Sequence, residues 1–210
     1  MKYLHLNEVD FEKYDYCGFD MDGTLYDEQI FIKQAYKKIS FYFSTDSDEF
    51  AQNIYEWMFQ RWIKKGSSYP YIFSEAIEVF NLKNKTIEQA LFFYRNLEMK
   101  LFLEDTVKEK LEQILRTKLF LITDGNPSLQ KNKYHALGLD NYFLLENCCF
   151  TGDLGKDFYK PSSLALSKLP CIKKDSKIIY FGDRFIDEQF CLNTGIDFVY
   201  VQNFKDFWSV

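Results

Sequence analysis

From about residue 105 onward, short apolar runs alternate with segments of helical period, and this alternation restricts the fold more than any other feature of the chain. Val107 to Leu115 reads as a helix, Leu119 to Thr123 as a strand, and Ser128 to Leu137 as a helix closed by Gly138. A short strand near Cys148 to Thr151, a helix opening at Pro161, a strand from Lys177 to Phe181, a helix to Thr194 closed by Gly195, and a strand from Phe198 to Val201 continue the series. Parallel strands need a crossover, usually a helix, so the pattern predicts an α/β core with a parallel sheet and helices on both faces. Ligands of such sheets gather outside the carboxyl ends of the strands.

The first hundred residues have another texture. Tyr16 to Phe19 reads as a strand running into FDMDGTLYD, where Asp20 and Asp22 precede a Gly-Thr turn. Then Phe31, Ala35, Ile39 and Phe43 recur every four residues, as do Phe50, Ile54, Trp57 or Met58, and Trp62 up to near Gly66. Tyr71 to Phe80 and Thr86 to Leu101, with Thr86 as N-cap, complete four expected helices with no strand between them.

Composition narrows the function. With 26 Lys plus Arg against 31 Asp plus Glu, the net charge is -5, and no basic tract interrupts the chain, which argues against a nucleic-acid polymer as partner. A small phosphorylated ligand, by contrast, would need only a local positive site. The first twenty residues lack the apolar run of a secretory signal, and no stretch is long and apolar enough to span a bilayer, so the expected location is cytoplasmic with no membrane contact. Five cysteines without a Cys-x-x-Cys pair read as reduced core thiols, and His5 and His135 suggest no metal cluster. Nothing in the sequence fixes the oligomeric state.

Two carboxylates crowded at a strand end repel, and each loses hydration, unless a cation or proton compensates. Inspecting the other strand ends gives Thr123 and Asp124, then the Lys160-Pro161 pair, then Asp183 with Asp187 four residues on. DMDGT, LITDG, a later KP and GDRFID resemble, in order, the four motifs of the haloacid dehalogenase-like hydrolase superfamily. TDGNPSLQKNKYHALGLDNYF is similar to the matching segment of members with a helical cap after the first motif.

The resemblance implies a Rossmann-like three-layer core over residues 1–27 and 105–210, with an all-helical cap over 28–104. It implies a magnesium-dependent phosphomonoester hydrolase working through an aspartyl-phosphate. Asp20 would be nucleophile and metal ligand. Asp22 would serve the metal through its backbone carbonyl, and its side chain would protonate the leaving oxygen and then activate water. Thr123, with backbone N–H groups of Met21, Asp22 and Asp124, would hold the phosphoryl oxygens. Lys160 would hold aspartyl and phosphoryl oxygens together, Asp183 would bind the metal, and Asp187 would orient a water or Lys160 from the outer shell. An acid at Asp22 separates this pattern from relatives that release halide. Sugar phosphates and nucleoside monophosphates are the implied substrate classes. A phosphomutase or phosphotransferase using the same intermediate, or a non-catalytic module sensing a metabolite, remains open. One departure stands out: relatives commonly show Gly-x-x-Lys-Pro, whereas GKDFYKP has two more residues, and its Lys156 is a second candidate for the role of Lys160. Pro161 as the first residue of a helix would put Lys160 at a helix N-terminus, where a bound anion would offset its charge.

Overall fold

The centre of the sheet is β2 (Tyr16–Phe19), which pairs in parallel with β3 (Leu119–Thr123) on one side and β5 (Ile178–Gly182) on the other. The computed structural model describes residues 1–44, 47–202 and 204–208. Among these residues β4 (Cys148–Phe150) lies outside β3, β6 (Asp197–Tyr200) outside β5, and the two-residue β1 (Tyr3–Leu4) forms the far edge, giving six strands in the order β1-β6-β5-β2-β3-β4, all parallel. The fold is α/β, as the alternation predicts. No helix among the described residues is long and apolar enough to cross a membrane.

Two compact units divide the chain: Met1–Glu28 with Leu101–Val210, and Gln29–Lys100. The first holds the sheet. Its β3 and β5 are buried at every position, because strands covered on both faces have no solvent side. Gly18 is what lets β2 run between them at close quarters, since a Cβ there would lie 2.1 Å from the Phe120 ring and 2.7 Å from Tyr180. One core cluster joins Phe120, Ile122, Tyr180, Phe190 and Phe198 from sheet and helix. The helices α5 (Asp105–Glu112), α6 (Pro127–Ala136) and α7 (Phe185–Thr194) follow the expected positions, with Gly138 and Gly195 both left-handed just past α6 and α7.

The second unit carries α2 (Asp48–Lys65), α3 (Ile72–Val79), α4 (Ile87–Arg95) and all but the first residue of α1 (Glu28–Phe43). The apolar stripe of α1, Phe31, Ala35, Ile39 and Phe43, is buried as its spacing predicts. Tyr36 packs edge-on to Phe73, Trp57 edge-on to Phe80, and Trp62 stacks on Phe59, all within this unit.

Two expectations are corrected. The helix after Pro161 is a 3-10 helix, Ser163–Lys168, whose start is set by Ser162 accepting from the Leu164 N–H, so Pro161 precedes the helix and Lys160 is not at its N-terminus. The helix from Thr86 ends at Arg95, where the Asn96 side-chain amide turns back onto the Phe92 carbonyl, not at Leu101. The strand β1 leaves no signal in the sequence, because two residues carry no periodicity.

Candidate functional site

Strand register brings the motif residues to one edge of the sheet. Phe19 pairs with both Leu121 and Phe181, and the Asp20 N–H donates to the Phe181 carbonyl at 2.9 Å, so Asp20 leaves β2 beside the ends of β3 and β5. Asp20, Thr123, Lys160 and Asp187 are all buried there. Gly23, at φ +78°, completes the turn, and a Cβ on it would lie 2.2 Å from Asp183 Oδ2, so Gly is needed both for the backbone and for the space.

Lys160 is the hub. Its Nζ donates to Asp20 Oδ1 and to Asp187 Oδ1, each at 2.5 Å, and lies 3.3 Å from the hydroxyl of Tyr180, which itself donates to the Ile122 carbonyl. Burial works against the charge of Lys160, but Asp187 and Asp20 outweigh it, and its pKa rises well above the ordinary value. The Lys160 backbone N–H reaches the Asp124 carboxylate at 3.2 Å, which also accepts from Thr151 Oγ1 at 2.7 Å, fixing the loop that delivers the lysine. Lys156, by contrast, is exposed.

Asp187 is fully committed: Oδ1 accepts from Lys160 and Oδ2 from the Arg184 N–H at 3.1 Å, the third residue of α7 closing back on its N-cap. Asp20 and Asp183 are not. Asp20 Oδ2 and Asp183 Oδ1 are buried without a hydrogen-bond partner. Burial, opposed by Lys160, pushes the Asp20 carboxyl up to about 6; burial and then the Asp20 charge push Asp183 up to about 8. The Arg184 guanidinium is 3.8 Å from both Asp20 Oδ1 and Asp183 Oδ1, too far for a hydrogen bond, and its Nε is also buried without a partner. One carboxylate oxygen from each of Asp20, Asp183 and Asp187 lies within 4.8 Å of the others. Two orphaned anionic oxygens in an all-oxygen cluster suit a hard divalent cation, which would supply the compensation they lack.

Asp22 faces other partners. Its Oδ1 accepts from Lys133 Nζ at 2.6 Å and from the Tyr26 hydroxyl at 2.5 Å, and its Oδ2 from Gln130 Nε2 at 2.8 Å. Burial alone would raise this carboxyl, but Lys133, with Tyr26 and Gln130, brings it below the ordinary value. Gln130 Nε2 is also 2.6 Å from Thr123 Oγ1, linking the acid to the hydroxyl at the end of β3. Met21 is buried in the turn between the two acids.

The four motifs thus converge on one strand-end cluster, and a family model described as haloacid dehalogenase-like hydrolase matches residues 14–195. The chain belongs to that hydrolase family. Solved structures share the fold of this haloacid dehalogenase-like chain at low identity. YfnB of Bacillus subtilis, named as a candidate HAD-hydrolase and solved bound to magnesium, is 19% identical over 90% of this chain and 86% of its own, with a TM-score of 0.64. A candidate phosphatase from Clostridium difficile is 20% identical over 90% and 85%, TM-score 0.62. A candidate beta-phosphoglucomutase from Thermotoga maritima is 19% identical over 89% and 84%, TM-score 0.56. A search of curated proteins finds no match.

Tyr26, Gln130, Lys133, Tyr180 and Arg184 join this hydrolase cluster without having been singled out in the sequence. Gln130 and Lys133 had a readable signal: three residues apart on the helix that opens just after Thr123, they share a face turned to the strand ends. Tyr180 had none, since a Tyr in an apolar strand reads as core.

Proposed function

We propose that the chain is a magnesium-dependent phosphomonoester hydrolase acting on a small phosphorylated metabolite through an aspartyl-phosphate on Asp20. The observation that carries this reading is the pair of buried, unpartnered oxygens on Asp20 and Asp183 beside a buried lysine: a cation-ready anionic cluster with a nucleophile already oriented. Asp20, the Asp22 backbone carbonyl and Asp183 would hold the ion, with Asp187 outside them. When bound, magnesium would neutralise the repulsion between a carboxylate and an anionic ester. A magnesium-bound relative of the same fold supports the choice of ion.

The chain's own residues then account for the chemistry. Asp20 attacks phosphorus, and the ester P–O bond breaks as the carboxylate O–P bond forms. Asp22 gives its proton to the departing oxygen; later a water attacks phosphorus, yields its proton to Asp22, and releases inorganic phosphate with Asp20 restored. At rest, Lys133 and the other donors favour the ionised form of Asp22, the state needed to deprotonate water. Arrival of an anionic ester beside it favours proton uptake, the state needed to protonate the leaving group. Thr123 and backbone N–H groups around Met21, Asp22 and Asp124 would receive the phosphoryl oxygens, and Lys160 would bridge aspartyl and phosphoryl groups. The division into a core of 1–27 and 105–210 and a cap of 28–104 belongs to the same proposal, as do sugar phosphates and nucleoside monophosphates as leaving-group classes. A phosphomutase of the same fold keeps transfer to a sugar hydroxyl as the second reading.

The test is phosphate release from a panel of phosphorylated metabolites with magnesium and with chelator. Release that vanishes with chelator is expected. Release unaffected by chelation would overturn the metal, and phosphate passing to a sugar faster than to water would favour the second reading.

A further inference from the structure

A lysine buried to 2% exposure inside a helix is costly unless something requires it, because its charge must leave water. Lys133 of α6 ends on Asp22 Oδ1 at 2.6 Å, and one turn earlier Gln130, also 2% exposed, spans Asp22 Oδ2 and Thr123 Oγ1 at 2.8 and 2.6 Å. Without Lys133, Asp22 would keep the Tyr26 and Gln130 hydrogen bonds but lose its charge-assisted one, and its carboxyl would be held less tightly in its χ1 and χ2 setting. A general acid needs its oxygen within hydrogen-bond reach of the leaving atom, so that freedom matters to proton transfer and little to folding. The helix is well placed to hold an acid still: its N-cap Asn126 accepts the Leu129 N–H, and Pro127 begins it directly after β3.

We propose that Lys133 is a positioning residue that, with Gln130, fixes the carboxyl of Asp22 for proton transfer to the leaving group; the inference rests on the phosphomonoesterase reading above. Lys133 acts through Asp22 and touches no reacting atom.

The experiment is a double-mutant cycle between Lys133→Met and Asp22→Asn in the full chain with magnesium, read as kcat/KM on phenyl phosphate and on 4-nitrophenyl phosphate. The two esters are close in shape and differ in the basicity of the departing phenolate, and kcat/KM reports the ester-cleaving step. Lys133→Met is expected to lower kcat/KM on phenyl phosphate about tenfold more than on 4-nitrophenyl phosphate, since only the more basic leaving group needs the proton. Added to Asp22→Asn, the same substitution is expected to change neither value more than about twofold, because its route of action is already gone. Equal losses on both esters, a gain on phenyl phosphate, or a full further loss in the Asp22→Asn background would each overturn the proposal. If Lys133→Met does not fold, judged by circular dichroism, Lys133→Gln removes the charge at similar length and is read the same way. A wild-type chain that cleaves neither ester would sink the phosphatase reading and this inference with it; an active wild type with a failed cycle would sink the inference alone.

Discussion

In the helical unit, Glu75 accepts two hydrogen bonds from Arg61, each at 2.6 Å, and a third from the Tyr69 hydroxyl at 2.5 Å, and these donors, Arg61 first, lower its carboxyl to about 2. At the strand ends of the other unit, Asp183 has an arginine as its next residue, but at 3.8 Å, and its buried Oδ1 finds no donor; burial and Asp20 raise it to about 8. Both are acids beside arginines. One is satisfied by the chain itself, and the other waits for something the chain does not supply. The bonds of Glu75 tie helices of its own unit together, whereas a raised carboxyl with an orphaned oxygen marks a ligand site.

The largest effect that would break this contrast is on turnover. Asp20→Asn removes the attacking oxygen while keeping size, and metal-dependent phosphate release should fall by roughly 10^4-fold or more, with Glu75→Gln leaving kcat within a few-fold. Appreciable activity in Asp20→Asn, measured with magnesium saturating, would end the assignment of that residue as nucleophile.

Next comes metal binding against stability. Asp183→Asn should weaken magnesium binding, read by calorimetry, by about tenfold or more, while the metal-free melting temperature holds or rises because a desolvated carboxyl repelled by Asp20 is gone. Glu75→Gln should do the reverse, lowering the melting temperature and leaving magnesium affinity alone. If both variants lose stability alike, the distinction between a waiting acid and a satisfied one is wrong.

A smaller effect follows from pH, with opposite signs in the two units. Asp20 and Asp183, ordinarily near 3.8, are raised to about 6 and about 8, so the metal-free folded chain holds protons that the unfolded chain has already released. Their contribution to stability is therefore greatest at low pH and is lost as pH rises from about 4 to 8. Glu75 is lowered from 4.5 to about 2, so its contribution is complete above 4.5 and is lost as pH falls towards 2. Trp57 and Trp62 report on the helical unit and Trp208 on the sheet unit. Thermal melts of metal-free single-Trp variants across pH 2.5 to 8 should slope in opposite directions, and added magnesium should flatten only the Trp208 signal.

The same contrast explains what the sequence made legible. The sheet core was readable because strands buried on both faces show as unbroken apolar runs, as in Leu119 to Ile122, and because left-handed glycines at 138 and 195 end the helices that follow. Asp20, Asp22, Thr123, Lys160 and Asp183 were readable because each stands at or just past the end of such a run or directly before a proline. Lys133 and Gln130 were hidden because their meaning lies in a tertiary approach: Lys133 is 111 residues from Asp22 in sequence, and a lysine on a helix reads as solvated until something buries it. Arg61 and Glu75 were hidden for the same reason. Pro161 misled because proline suits a helix start, yet Ser162 next to it supplies the cap that sets the boundary.

The smallest test asks whether the helical unit owes its order to its ion network or to its helices. Ser47 is the N-cap of α2, its Oγ accepting the Phe50 N–H at 3.1 Å, with Asp48 and Glu49 in the first turn and Lys64 and Lys65 in the last. Those charges suit the helix dipole at both ends, so the cap contributes a neutral hydrogen bond to a helix already favoured electrostatically. Ser47→Ala should cost about 1 kcal/mol, the usual loss for a serine cap, at pH 3 as at pH 7, since no titrating group takes part in the bond. The loss should appear in the Trp57 and Trp62 melt and be the same with or without magnesium. A loss that grows at pH 7, where Glu75 is ionised, would mean that the cap and the Arg61–Glu75 network stabilise one cooperative structure, and the helical unit would then depend on its charges as much as the strand-end cluster does.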